Sequence, residues 1–304
     1  QDLVRCLEKV ELIDYHQVIE HKGVRFTCYN AGHVLGAAMF MIEIGGVRVL
    51  YTGDFSRQDD RHLLGAETPV ESPHVLIVES TYGVQLHETR EVRETRFTSS
   101  VHAIVRRGGR CLIPVFALGR SQELLLVLDA YWRANPELHD VPIYYASGIA
   151  RKCMRVYQTY INMMNAAVRD AYAAGRNPWE FSHVRTLPPG HKFDDGKPCV
   201  VMASPGMLQQ GLSRELFEAW CPDPRNGLVM PGYSVAGTLA HHLLSEPTAI
   251  KSASGDMLPV KLSISYVSFS AHSDFAQTSD FVAQTRPTHV VHVHGSEPEL
   301  MRLR

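Results

Sequence analysis

Short apolar runs separated by turns fill residues 24–79. The runs VRFTCY, AAMFMIEI, VRVLY and VLIVE each have the length of a β-strand. Gly45-Gly46 lies between two of these runs and predicts a β-hairpin. VLIVE is continuously apolar, which is typical of a strand buried on both faces. We therefore predict a region of short strands in this part of the chain.

A different pattern follows from about residue 85 to 267, where helical and strand periodicities alternate. A helix is predicted over 91–107, and the buried strand RCLIPVF follows it. GRSQELLLVLDAYWRANPELH predicts a second helix with leucines and Trp132 on one side, and a further helix is predicted from about 148 to 173. This alternation favours a parallel sheet covered by helices. Residues 268–304 return to a strand–helix–strand unit.

Composition narrows the class of protein but not its partners. With 304 residues, 45% of them hydrophobic, the chain can bury one large core or two ordinary ones. Because 30 basic residues face 32 acidic ones, charge gives no sign of a polyanion partner, and any nucleic-acid role must come from a site. The apolar runs are too short to span a membrane. Six scattered cysteines without a C-x-x-C pair indicate buried thiols in a reducing compartment.

Both ends of the chain look cut. The first residues, QDLVRCLEKVEL, lack a Met and already show helical apolar spacing, and GSEPELMRLR stops inside what is predicted to be a new helix. We therefore expect the sequence to be a piece of something longer.

Polar residues that can do chemistry follow several predicted strands, each at a turn: His33, Asp54, Glu79, His272 and His294. Strand ends on one sheet edge converge, so these side chains are expected to meet. Histidines and a carboxylate together suit a divalent metal. Taken singly, each has a simpler interpretation: a surface histidine, a turn-forming aspartate, or a glutamate that caps a turn. The chain has 16 histidines, so coincidence is easy and spacing alone leaves both interpretations open.

The motifs around these residues resemble a known family. NAGHVLGAAMFMIEIGGVRVLYTGDFSR, VESTYG, GGRCLIPVFALGRSQELLLVLDAYW, VVMASPGMLQQGLSRELFEAWC, SFSAHSDF and VHVHGSEPELMRL are similar to the metallo-β-lactamase/β-CASP nuclease family, in particular to the endonucleases of pre-mRNA 3′-end processing. The resemblance implies an α/β fold, part of an αββα sandwich whose N-terminal part is missing, with an inserted β-CASP domain built on a parallel sheet flanked by helices. The implied boundaries are 1–83 for the partial metallo-β-lactamase domain, 84–269 for the β-CASP domain and 270–304 for the return to the first domain.

The resemblance also implies a role for each candidate residue. His33 should ligate one zinc ion, Asp54 should bridge two, and His294 should ligate the second. His272, paired with Glu79, should act as a general acid toward the leaving oxygen. The implied activity is zinc-dependent endoribonuclease cleavage of pre-mRNA at the 3′ end, by phosphodiester hydrolysis with a metal-bound hydroxide.

One family motif has no counterpart. The motif His-x-His-x-Asp-His, which supplies further metal ligands in the family, does not occur between Gln1 and Asn30. We expect those ligands to lie before Gln1. A catalytic zinc ion takes three protein ligands, whereas the residues present offer three groups for two ions. The chain by itself is therefore expected to bind zinc weakly or not at all and to be inactive.

The implied partners are single-stranded pre-mRNA and other subunits of the cleavage and polyadenylation complex, in the nucleus, with no membrane. Tentative RNA contacts are Arg120 and Ser121, predicted at a helix start that favours anions, and Ser204 after a buried strand. A solvated basic face and an ordinary turn are equally good interpretations of these residues.

Three alternatives compete with this reading of the whole sequence. One is an endonuclease of the Integrator or histone pre-mRNA type. Another is a non-catalytic scaffold subunit of the same complex, although the candidate residues are all present. The third is a hydrolase of a small ester, thioester or lactam, which has no need of the long insertion between Glu79 and His272.

Overall fold

A computed structural model gives the structure for residues 2–146, 150–188, 190, 191, 193 and 197–303, with backbone only at 150 and 151. The strands in chain order are β1 (Val18–His21), β2 (Val24–Asn30), β3 (Ala38–Ile44), β4 (Val47–Tyr51), β5 (Val75–Glu79), β6 (Arg110–Pro114), β7 (Ile143–Ala146), β8 (Val184–Thr186), β9 (Cys199–Ala203), β10 (Gly227–Met230), β11 (Ala249–Lys251), β12 (Met257–Pro259), β13 (Ser263–Tyr266) and β14 (His289–Val293). The helices are α1 (Asp2–Leu7), α2 (Arg90–Arg106), α3 (Arg120–Ala134), α4 (Ala150–Thr159), α5 (Ala166–Ala173), α6 (Gly211–Trp220), α7 (Leu239–Leu243), α8 (Phe275–Thr285) and α9 (Glu297–Leu303).

The chain divides into two compact units. The first unit contains the residues up to Leu86 and those from His272 onward, and the second contains His87–Ala271. Each unit has its own sheet, so each is described separately.

The sheet of the first unit has the strand order β1-β2-β3-β4-β5-β14. Strands β1 to β4 pair antiparallel, whereas β5 runs parallel to both β4 and β14. The predicted hairpin is confirmed: Ile44 pairs with Val47 across Gly45-Gly46, and both glycines have positive φ, 58° and 81°. The parallel strands end at the same edge, which is where the candidate chemistry lies.

One face of this sheet carries the core of the first unit. Its buried cluster includes Phe281 of α8 and Phe55 of the loop after β4, together with Met39, Met41, Leu50, Leu76 and Val78. On the other face of β5, Val75 and Ile77 are only partly buried. The prediction that β5 is buried on both faces is therefore wrong for the part of the chain described.

The sheet of the second unit has the order β13-β10-β6-β9-β7-β8, and every strand pairs parallel to its neighbours. β6 lies in the middle with every residue buried. Helices α2 and α3 cover one face with Phe97, Leu124 and Trp132, and α6 covers the other with Phe217 and Trp220. The predicted α/β class, with a parallel sheet covered by helices, is confirmed.

The single helix predicted over 148–173 is wrong. Its first residues, 148 and 149, lie outside the described part, α4 ends at Thr159, and α5 begins at Ala166. Asn165 caps α5 by accepting a hydrogen bond from the N–H of Val168, at 3.0 Å. Asparagine side chains compete with helical backbone bonds and favour caps, so this residue separates two helices instead of continuing one.

Most of the cysteines are buried. Cys28, Cys111, Cys153, Cys199 and Cys221 are buried thiols and Cys6 is exposed, all of them free. Among the described residues, no helix is both long and apolar enough to cross a membrane.

Candidate metal centre

Asp54 lies between two histidines that are remote in sequence. Its Oδ2 atom is 3.7 Å from Nε2 of His33, and its Oδ1 atom is 3.5 Å from Nδ1 of His294. These separations exceed the 2.7–3.2 Å that is usual for N–H···O hydrogen bonds. They match the roughly 3.4 Å expected between two ligand atoms on one tetrahedral zinc ion with bonds of about 2.0–2.2 Å. The carboxylate is thus positioned to face both imidazoles.

Both of these histidines have a left-handed backbone. φ is 51° at His33 and 54° at His294, in a region that residues other than glycine rarely adopt. Such conformations cost free energy and persist only where the surrounding structure holds them. This backbone conformation sets the direction of each imidazole after its strand, which is β2 for His33 and β14 for His294.

Two glycines let the loops that carry these histidines approach their neighbours. A Cβ on Gly32, which has φ of 65°, would lie 2.5 Å from the carbonyl oxygen of Ser56. A Cβ on Gly295 would lie 2.6 Å from the carbonyl oxygen of Ser80. Only glycine fits such close backbone contacts, so the sequence AGH before β3 and the sequence HG after β14 both fix the histidine positions.

Glu79 and His272 form a hydrogen-bonded pair. Nδ1 of His272 lies 2.8 Å from Oε1 of Glu79, which ends β5 and is 2% exposed. The same oxygen accepts the backbone N–H of Phe55 at 2.9 Å. Because burial penalises an unpaired carboxylate, these donors hold Glu79 in place, and Glu79 in turn fixes the orientation of the His272 ring.

Thr81 joins the two halves of the site, and the sequence analysis missed it. Its hydroxyl donates to Oε2 of Glu79, lies 2.8 Å from Nδ1 of His294, and lies 3.3 Å from Nδ1 of His272. The signal in the sequence is weak, because a threonine two residues after a strand-ending glutamate is usually an ordinary turn residue.

The donor atoms fit a metal. Potential ligand atoms of His33, Asp54 and His272 lie within 4.8 Å of one another, and so do those of Glu79, His272 and His294. Geometry alone therefore groups His272 with either set. The hydrogen bonds on Glu79 distinguish the roles, because its oxygens accept from Phe55 and Thr81 and bond to His272. Each oxygen of Asp54 instead lies 3.5–3.7 Å from an imidazole nitrogen.

A further histidine lies beside the site in a structural position. Nδ1 of His292 is 2.8 Å from the hydroxyl of Ser80, and burial lowers the pKa of His292. Burial favours the neutral form of an imidazole, and the bond to the Ser80 hydroxyl satisfies one of its nitrogens.

The residues proposed from sequence as RNA contacts lie in the second unit. Ser121 is 2% exposed and its hydroxyl donates to Oε1 of Gln122 at 3.0 Å, so it offers nothing to a phosphate at the surface. Arg120 donates from Nη1 to buried Glu123 at 2.8 Å. Ser204 precedes a cis proline, and its hydroxyl oxygen is buried. These side chains support their loops, and the structure lends no support to the predicted contact of Ser121 with RNA.

Three family models match successive parts of the chain. A metallo-beta-lactamase superfamily domain matches residues 1–80, a Beta-Casp domain matches residues 121–243, and a Zn-dependent metallo-hydrolase RNA specificity domain matches residues 257–304. His33, Asp54 and Glu79 fall in the first of these segments, and His272 and His294 fall in the last.

Proteins of high similarity cover the chain from end to end. It is 64% identical over 303 residues to "Cleavage and polyadenylation specificity factor subunit 3" of Dictyostelium discoideum and 60% identical over 303 residues to "Cleavage and polyadenylation specificity factor 73" of Drosophila melanogaster. It is 50% identical over 304 residues to "Endoribonuclease ysh1" of Schizosaccharomyces pombe. In each case all of the chain is matched, but it spans only 39%, 44% and 40% of those proteins.

Proposed function

We propose that this chain, which belongs to the metallo-β-lactamase/β-CASP family, forms part of the catalytic region of a zinc-dependent endoribonuclease that cuts pre-mRNA at its 3′ end. The observation that carries the proposal is the Asp54 carboxylate between His33 and His294, with the Glu79–His272 pair beside it. The names of similar proteins, which include an endoribonuclease and a polyadenylation factor, support RNA as the substrate class.

In this proposal the imidazoles of His33 and His294 and the carboxylate of Asp54 would hold the zinc. Zinc bound there would lower the pKa of a coordinated water molecule and offset the negative charge of the phosphate. The ligand atoms of these side chains have defined positions, because the backbone geometry fixes both histidines. Two catalytic ions need more ligands than these three, so we propose that the chain by itself binds zinc weakly and that the longer protein binds it fully.

His272 is the proposed proton donor. Its Nδ1 faces the Glu79 carboxylate, so Nε2 is the nitrogen on the side away from that partner. A carboxylate at hydrogen-bond distance stabilises the charged imidazolium, and an imidazolium can pass its proton to a leaving oxygen. Glu79 is buried and bonds to His272, so we assign it the role of a positioning residue.

The proposed partners are single-stranded pre-mRNA and other subunits of a cleavage and polyadenylation complex in the nucleus. The similarity to the Dictyostelium discoideum protein supports an assembly, since that protein is named as a subunit of such a factor. The description of the model that matches residues 257–304, an RNA specificity domain, supports RNA as the substrate.

The test uses the full-length protein in its complex and compares three variants. Asp54→Ala is expected to lower zinc content by metal analysis and to abolish RNA cleavage. His272→Ala is expected to keep zinc and to reduce cleavage by about 10²–10⁴-fold, the usual contribution of a general acid. His289→Ala, at an exposed position of β14, is the matched control and should change neither quantity.

Two outcomes would contradict the proposal. Normal cleavage by the Asp54 variant would remove the metal assignment. Normal cleavage by His272→Ala with full zinc would remove the general acid and leave the metal site intact.

A further inference from the structure

Large apolar side chains are exposed at the carboxyl ends of neighbouring strands in the second unit. Phe116 is 61% exposed and Leu118 is 44% exposed in the loop after β6. Tyr233 is 57% exposed and Val235 is 48% exposed in the loop after β10, which pairs directly with β6. Ligands of parallel α/β sheets usually bind at this edge, where strand order reverses.

Hydrogen bonds anchor the backbone of the loop that carries Phe116. The carbonyl oxygen of Ala117 accepts hydrogen bonds from the hydroxyl of Tyr145, at 2.6 Å, and from Nε2 of fully buried Gln122, at 3.2 Å. The N–H of Val115 donates to the carbonyl of Ala203 at 2.9 Å. These bonds fix the backbone on both sides of Phe116, whose side chain is exposed at the surface, so ordering of this loop costs little on binding.

The loops after β6, β9 and β10 are connected to one another. A Cβ on Gly206 would lie 3.5 Å from the ring of Phe116, so the ring packs over the loop after β9. In the same loop, Sδ of Met207 accepts the N–H of Val235 at 3.4 Å. The exposed residues Phe116, Leu118, Tyr233 and Val235 therefore lie on contiguous loops, and we call them the aromatic platform.

Charge around the aromatic platform suits an anionic ligand that stacks. The three loops, VFALG, SPGMLQQ and PGYSVAGT, contain no acidic residue. Directly after the first loop, Arg120 pairs with buried Glu123, which also attracts the guanidinium of Arg93. Because the three loops carry no carboxylate, the platform does not repel the phosphates of a polyanion, and Arg120 is the cation next to it in sequence.

We propose that the aromatic platform binds bases of single-stranded RNA, with Phe116 and Tyr233 as stacking residues. This inference rests on the proposed function and adds a substrate-binding site to it. Aromatic side chains at the surface stack on any base, because every base has a π-face, and such contacts are nearly independent of sequence. A protein partner on the same surface is the competing occupant that the experiment distinguishes.

The experiment measures the affinity of the full-length protein for a fluorescent single-stranded RNA by anisotropy, in EDTA so that the RNA stays intact. Phe116→Ala and Tyr233→Ala are each expected to weaken binding on the order of tenfold, the usual effect of losing one stacked base. Phe116→Trp should keep the affinity. Tyr172→Ala, which removes a tyrosine that is 51% exposed on α5, is the matched control and should bind like the wild type.

A second arm uses the same RNA with abasic sites. The aromatic platform predicts that the wild type binds this RNA more weakly than Phe116→Ala binds the intact one, because both stacking contacts are lost, and that the alanine substitution then has no further effect. Circular dichroism and thermal melting of each variant check that the fold is kept.

Three results would overturn the inference. The first is unchanged RNA affinity in both alanine variants, which is the result expected if a protein partner occupies this surface. The second is an equal loss of RNA affinity in Tyr172→Ala. The third is the absence of measurable RNA affinity in the wild type. Cleavage by the zinc-loaded wild type, measured separately, tells whether the proposed endoribonuclease function survives any of them.

Discussion

Glu79 and His272 are 193 residues apart in the chain, yet Oε1 of the first lies 2.8 Å from Nδ1 of the second. The glutamate ends β5 and is almost completely buried, whereas the histidine lies in the segment before α8. A buried carboxylate so placed selects one orientation of the imidazole and one ring nitrogen for it to bond.

Replacing Glu79 with glutamine tests this relationship. The amide keeps the shape of the side chain but removes the charge, and it can present a donor to Nδ1 where the carboxylate only accepts. We expect RNA cleavage by the full-length protein to fall about 10- to 100-fold, as is usual when a positioning partner is lost, with zinc content kept. Glu91→Gln, at an exposed position of α2, is the control. Wild-type activity in Glu79→Gln would contradict the positioning role.

Thr81 gives a second prediction, because its hydroxyl contacts both Glu79 and His294. Thr81→Val has nearly the same shape but no hydroxyl, so it leaves buried polar atoms of Glu79 with fewer partners. We expect a loss of about 1–3 kcal/mol in the free energy of unfolding, measured by urea denaturation, together with weaker zinc binding. Thr81→Ser keeps the hydroxyl and should restore both. Equal behaviour of the valine and serine variants would show that the hydroxyl contributes nothing.

The loop before His33 depends on a close backbone approach at Gly32. Gly32→Ala would place a methyl group 2.5 Å from the carbonyl oxygen of Ser56 and would also impose a positive φ on alanine. Gly46→Ala is the matched control, since φ is 81° there but nothing lies within 4 Å of the added Cβ. We expect Gly46→Ala to cost about 1 kcal/mol of stability and Gly32→Ala clearly more, by thermal melting. Equal losses would mean that the contact with Ser56 relaxes freely.

Alkaline pH should destabilise the first unit through Tyr15. Its hydroxyl donates to the carbonyl oxygen of Ala37 at 2.8 Å, and burial, followed by the charges of Cys28 and Glu67, raises the pKa of Tyr15 from 10.0 to about 12. A raised pKa means that the folded state holds the proton more tightly than the unfolded state. This contribution is complete below pH 10 and is lost as pH rises toward about 12.

The measurement is the free energy of unfolding against pH for the wild type and for Tyr15→Phe. The wild type should lose stability more steeply than the variant across this pH window, because phenylalanine has no proton to release. Parallel curves would contradict the assignment to Tyr15.

The sequence by itself determined the class of fold and which residues are candidates for the chemistry. Alternating apolar runs predicted the parallel sheet of the second unit, and the Gly45-Gly46 turn predicted the hairpin, because both depend on local periodicity and turn conformation. The motifs singled out His33, Asp54, Glu79, His272 and His294, since each lies at the end of a predicted strand.

Only the tertiary structure decided what those residues touch. The contact of Thr81 with two other site residues, the left-handed backbone of His33 and the burial of Ser121 depend on segments that are distant in sequence. The break between α4 and α5 and the exposed position of Phe116 also depend on contacts that periodicity does not describe. Periodicity describes which face of a helix or strand is apolar. Packing between elements fixes which polar atoms meet, and the chemistry of the site depends on those contacts.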